Sequence, residues 1–202
     1  MSVFTRMDIE CACVDNLLIT GGTGFFGLAL LRGWLKRFME GADVPLVTIL
    51  SRYPAVFLDH HSEFRCRPWL QFHQGNILDP SSLPKNGAFS HVLHAAADST
   101  LGPMLSPQQR FSQIVDGTRN MLEYAVACGA KRFLLTSSGG VYGPQPTAME
   151  KIPEDYHGMP DPLNTANTYS VAKRVAEHLC ALYQNAYGLE TVIARCFAFV
   201  GQ

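Results

Sequence analysis

The chain has 202 residues, 47% of them hydrophobic and 16% charged, with 16 Lys and Arg against 17 Asp and Glu and a formal net charge of −1. That balance describes a globular chain able to bury a sizeable core and excludes a disordered segment. No stretch approaches the roughly 18 apolar residues that span a bilayer, and no Lys or Arg run marks a surface for nucleic acid or anionic lipid, so the expected partners are small molecules.

Residues 1–15 contain Asp8, Glu10 and Asp15 and lack a basic start followed by an apolar stretch, so they read as an N-terminal extension and not as a secretory signal. Six cysteines, at 11, 13, 66, 128, 180 and 196, are scattered. Cys11 and Cys13 have no second pair to complete a zinc site, so no metal is expected, and the favoured reading is idle thiols in a reducing cytoplasm. Cys66 lies between Arg65 and Arg67 and reads as a surface thiol.

From Asn16 onward, short apolar runs alternate with longer amphipathic ones. NLLIT at 16–20 reads as a strand, and 25–39 as a helix with Leu28, Leu31 and Leu35 on one side. Strands are expected at 46–50, 70–73 and 91–95, then a helix over 107–128 that stops at Gly129. A fifth strand at 132–136, a helix over 168–187 that stops at Gly188, and a sixth strand at 191–194 complete the series. Strands apolar almost throughout and separated by helices imply an α/β architecture. The expectation is a Rossmann-type doubly wound parallel sheet of order 3-2-1-4-5-6 over residues 16–202, without repeat or linker.

The first strand runs into TGGTGFFG, with Gly21, Gly24 and Gly27 before the helix. Glycines here serve a tight turn, the approach of a pyrophosphate to bare backbone, and close packing of helix on sheet, while the helix N-terminus faces the anion. The strand-glycine-helix order makes this a dinucleotide-binding signal, with Thr23, Phe25 and Phe26 in the same turn. An NAD enzyme usually ends the second strand in an acidic residue that meets the adenosine ribose, but Ser51 and Arg52 stand there. A guanidinium binds phosphate in a fork, which tilts the cofactor toward NADP; an arginine stacked on adenine in an NAD enzyme is the alternative.

The fifth strand ends in TSSGGVYG, and thirty-one residues after Ser138 the segment YSVAK opens a helix. A spacing of four puts Tyr169 and Lys173 on one helical face, where the ammonium is expected to favour the ionised phenol and fit it for general acid/base work. Ser138, at the carboxyl end of a strand, is placed to hydrogen-bond a reacting hydroxyl.

These motifs together resemble the extended short-chain dehydrogenase/reductases of the NAD-dependent epimerase/dehydratase family, which act mostly on nucleotide sugars. ITGGTGFFG, QGNILD (74–79), HAAA (94–97), TSSGGVYG, YSVAK and ARCFAFVG (194–201) fall in family order. The resemblance implies that Asn76 and Ile77 flank the adenine and that Ala95, Ala96 and Ala97 line the cofactor. It also makes Ser138, Tyr169 and Lys173 the catalytic set, with Lys173 holding the nicotinamide ribose. Tyr169 would take a proton from a sugar hydroxyl, usually at C4, while the carbon gives its hydride to the nicotinamide. A homodimer through the two long helices is a further family expectation.

Three positions depart from the family pattern. Gly139 and Gly140 stand where its dehydratases carry an Asp-Glu pair, which disfavours 4,6-dehydratase chemistry. Ile114 replaces an Asn before Gly117-Thr118, and Ala198 replaces an Asn that commonly meets the substrate's phosphates. The leading expectation is a nucleotide-sugar epimerase or oxidoreductase working through a 4-keto sugar. The alternatives are an NADPH-dependent reductase of a keto substrate and a non-catalytic NAD(P)-binding module. His94 reads as a packing residue, Asp98, Ser99 and Thr100 as a loop that could face substrate hydroxyls, and 144–162 as a loop bordering the site. The sequence stops inside the family's Arg-x-Phe-x-x-x-Gly-Pro motif, so the resemblance implies a chain truncated before the substrate lobe.

Overall fold

The computed structural model describes residues 15–85, 87–97 and 105–197. Cys11, Cys13, Asp98, Ser99, Thr100 and Ala198 lie outside them.

Six parallel strands form one sheet in the order β3-β2-β1-β4-β5-β6. They are β1 (Asn16–Thr20), β2 (Leu46–Ser51), β3 (Leu70–Gln74), β4 (His91–His94), β5 (Arg132–Ser138) and β6 (Glu190–Cys196). The sequence-based order and helices hold. The apolar character of the strands follows from burial on both faces: successive side chains point to opposite sides, and each side meets a core. Leu18, with Leu50, Val92, Phe133 and Leu135, faces the helices that follow β4 and β5. Ile19, with Val47, Ile49 and Leu70, packs under Leu31 and Phe57.

The helices are α1 (Phe25–Met39), α2 (Pro54–His60), α3 (Pro107–Ala127) and α4 (Thr168–Tyr187). A capping box starts α3, with the Ser106 side chain accepting from the Gln109 backbone while the Gln109 side chain accepts from the Ser106 amide. Gly188, left-handed at φ 69°, ends α4. The short α2 was not expected from the sequence. Pro54 opens it and Phe57 is its buried anchor, stacked 5.8 Å from Phe64.

Three boundary shifts bear on the site. β5 runs two residues beyond the expected Thr136, so Ser138 is its last residue, and β6 runs to Cys196, which pairs in register with Ser138. β4 stops at His94, one residue short, leaving Ala95 and its successors as loop. Among the described residues no helix is long and apolar enough to cross a membrane.

Candidate active site

At the carboxyl end of β1 the chain turns tightly, backbone close against backbone. Gly21 adopts φ 71°, and a Cβ there would lie 2.5 Å from the Ala95 carbonyl oxygen. The Gly24 amide bonds the Gly21 carbonyl at 3.0 Å. Gly24 caps α1 without a side-chain hydrogen bond, so the positive end of the helix dipole meets the turn with no side-chain cap in front of it. Gly27 lies deeper: a Cβ would meet Gly22 Cα at 2.2 Å, so its absence lets α1 pack onto the turn.

Two cavities open on either side of this turn and share Gly21, Gly24, Ala95 and Ala97 as lining. The smaller, about 230 Å³, is bordered by Thr23, Ser51, Arg52, Asn76, Ile77 and Ala96. The Ser51 hydroxyl accepts from the Tyr53 amide at 3.3 Å, and the Arg52 guanidinium stands 6.0 Å from the Tyr53 ring centre. The larger, about 580 Å³, gathers Phe25, Phe26, Ser138, Tyr169 and Lys173 with Cys196 and Phe197. Of the residues singled out from the sequence, Gly27 borders neither cavity.

Thr20 and His94 join the strand ends beneath the turn. The Thr20 hydroxyl is 2.7 Å from His94 Nδ1 and accepts from the Ala96 amide at 3.2 Å. Burial pushes the His94 imidazole down to about 3, and the ammonium of Lys173 acts in the same sense, so His94 is a neutral packing and hydrogen-bonding group.

Lys173 is buried, and its Nζ donates to the Thr136 carbonyl at 2.7 Å. It lies 5.9 Å from the Tyr169 ring centre. Burial lowers Lys173 to about 8, opposed by Cys196, Glu177 and Cys180. Tyr169 departs from the sequence-based expectation: its phenol is raised, chiefly by burial, then by Cys196, with Arg110 acting the other way. The ammonium is turned toward a carbonyl of β5, and desolvation outweighs any help it gives the phenolate.

The Ser138 hydroxyl accepts from the Gly140 amide at 3.1 Å and starts the tight turn Gly139–Tyr142. A Cβ on Gly139 would fall 2.5 Å from the Phe197 ring, and one on Gly140 would fall 2.3 Å from Ser170 Oγ. The space that an acidic pair would need is taken by these side chains.

Motif reading missed a polar network behind the cavity. Glu177, one turn after Lys173, accepts from the Ser137 hydroxyl at 2.5 Å and from Arg195 Nη2 at 2.9 Å and Nε at 3.1 Å. Arg195 also donates to the Glu154 carbonyl at 3.0 Å, and its guanidinium lies 4.7 Å from the Tyr142 ring centre. Arg174 donates to the carbonyls of Val141 and Gly158 at 2.9 and 2.8 Å, so two arginines tie the 144–162 loop to the site. The available signal was the Lys-to-Glu spacing of four on α4, which acquires meaning only from the β5–β6 register. Among the described residues no group of three or more His, Cys, Asp or Glu is placed to hold a metal ion.

Comparison with known proteins places the chain in a family and beside related folds. The model of the NAD dependent epimerase/dehydratase family matches residues 17–202. UDP-glucuronic acid decarboxylase 3 of Arabidopsis thaliana is 30% identical over 192 residues, 94% of this chain and 53% of that protein. UDP-glucose 4-epimerase 2 of Oryza sativa subsp. japonica is 28% identical over 198 residues, 93% and 45% of the two chains. Among solved structures, DesIV, a dTDP-glucose 4,6-dehydratase from Streptomyces venezuelae with NAD and TYD bound, superposes with a TM-score of 0.75 at 25% identity, covering 90% of this chain and 55% of that one. UDP-glucuronic acid 4-epimerase from Bacillus cereus in complex with NAD gives 0.70 at 25% identity, covering 91% and 56%. The chain spans about half the length of the curated relatives it matches.

Proposed function

The chain belongs to the NAD dependent epimerase/dehydratase family, and from this premise we propose that its groove binds NAD or NADP and that Ser138, Tyr169 and Lys173 carry hydride-transfer chemistry on a nucleotide sugar. The carrying observation is that these three side chains border one cavity, which meets a second cavity at the glycine turn. The residues fit a dinucleotide. A Cβ at Gly21 would fill the cradle, α1 starts at Gly24 with no side-chain cap, and a cavity lies on each side for the two nucleoside halves. Gly21, Thr23, Gly24, Phe25 and Phe26 would hold the phosphates and nearby ribose, Asn76 and Ile77 the adenine, and Ala95, Ala96 and Ala97 the opposite wall. When bound, the cofactor supplies the acceptor and donor of the hydride.

The chain's own residues handle the proton. Tyr169 Oη takes it from a substrate hydroxyl, at C4 in the reading we favour, as the carbon is oxidised to a ketone. Ser138 Oγ donates to the reacting oxygen and fixes its position. Lys173 turns its ammonium to the ribose and toward the phenol, whose ionised form it stabilises once ligand excludes water. With glycines at 139 and 140, those two positions supply neither a carboxylic acid to protonate a leaving hydroxyl nor a carboxylate to take the proton lost with it. The favoured outcome is therefore a 4-keto sugar returned as an epimer or a reduced product, and not dehydration.

Arg52 favours a second reading, an NADPH-dependent reductase of a keto sugar, because its guanidinium borders the cavity assigned to the adenosine half. Replacing Tyr169 by Phe tests the shared core of both readings. Dinucleotide affinity should survive, while turnover of UDP-, GDP-, CDP- or dTDP-sugars falls about 100-fold or more. Unchanged turnover would remove Tyr169 from the chemistry.

A further inference from the structure

Resting on that reading of the cavity, we propose that Glu177 is a positioning residue of the site, pinning α4 across the ends of β5 and β6 so that Lys173 and Ser138 keep a fixed relation. Lys173 and Glu177 lie one helical turn apart and hold successive residues of one strand, Thr136 by its carbonyl and Ser137 by its hydroxyl. The next residue of that strand is Ser138. Arg195 stands beside Ser137 in register and grips both carboxylate oxygens of Glu177. A carboxylate as buried as this one is costly unless paired and hydrogen-bonded, and both conditions are met. The same guanidinium reaches the Glu154 carbonyl and lies over Tyr142, so the loop bordering the cavity is braced by the group that braces the helix. Movement of that loop is thereby coupled to the placement of Lys173.

A purely structural role and a positioning role differ in what happens to Lys173. The charged and titratable groups facing it are Tyr169, Glu177 and Cys180 from α4, His94 from β4 and Cys196 from β6. Against burial, Cys196 and then Glu177 favour the charged ammonium, and of the two Glu177 is the one hydrogen-bonded to the strand that Lys173 holds. Because the ammonium is the form that binds the ribose, dinucleotide affinity should fall as pH rises through a midpoint near the Lys173 value of about 8.

The experiment is titration of the chain with NAD across that pH range, for the unaltered protein and for Glu177→Gln, with thermal unfolding as the check on folding. Glu177→Gln is expected to move the midpoint down by about half a pH unit or more. Affinity reduced equally at every pH, or a midpoint left in place, assigns Glu177 to stability alone and overturns the proposal. If the unaltered chain binds no NAD or shows no midpoint, the reading of the cavity fails first and the proposal falls with it. Should Glu177→Gln not fold, Ser137→Ala and Arg195→Lys each loosen one hold on the carboxylate. Both should shift the midpoint the same way by less, and two unshifted midpoints are again decisive against the proposal.

Discussion

The turn after β1 and the strand ends of β5 and β6, which border the proposed groove, are built in opposite ways. The turn works by lacking side chains: Gly21 and Gly27 would each place a Cβ within 2.5 Å of fixed backbone, and α1 begins with no side-chain cap. The other end works by interlocking side chains, with Lys173, Glu177 and Arg195 joining one helix, two strands and a loop. The first region should fail when atoms are added and the second when a partner or a charge state is changed.

The largest expected effect is at the turn. Gly27→Ala sets a methyl against Gly22 backbone that cannot swing aside, and should cost more than about 4 kcal/mol in chemical denaturation or abolish folding. A cost below about 1 kcal/mol would show that the turn yields. Next comes acid sensitivity among the joined strand ends. His94 is held at about 3 when folded against its ordinary 6.5, so the unfolded chain takes up a proton first as pH falls. Stability is then lost from about pH 6.5 downward, by roughly 4 kcal/mol by the time the folded value is reached. His94→Asn should be less stable near neutrality yet show a flatter acid limb, and an equally steep limb would place the effect on other groups.

The smallest effect sharpens the comparison, since Arg52 is the charged side chain bordering the cavity on the glycine-turn side that we propose to read the cofactor. Arg52→Ala should weaken NADP binding about tenfold and leave NAD binding within about twofold. Equal losses for both would assign Arg52 to adenine stacking instead of phosphate.

The same contrast explains what could be read in advance. The turn is local: strand, glycines and helix are contiguous, so spacing alone placed Gly21, Gly24 and α1. Strand order followed from apolar runs and intervening helices. Ser138, Tyr169 and Lys173 were legible as residue types in family order, and they do border one cavity. The direction of the Tyr169 shift was not legible, because it depends on burial and on the Lys173 ammonium facing the Thr136 carbonyl. Neither was the Ser137–Glu177–Arg195 network, since residues forty and eighteen positions apart become neighbours only through strand register. The seven residues of α2 are too few to show a period, although Pro54 was a usable start signal.

The bond from Lys173 to the Thr136 carbonyl has a consequence for how a ligand is received. The ammonium lost its water shell when the chain folded, so a hydroxyl that takes over from the carbonyl exchanges one oxygen for another and strips no hydrated ion. Recognition at this point is then a switch between two acceptors, nearly insensitive to ionic strength, whose bias is set by how well the incoming oxygen matches the 2.7 Å contact it replaces.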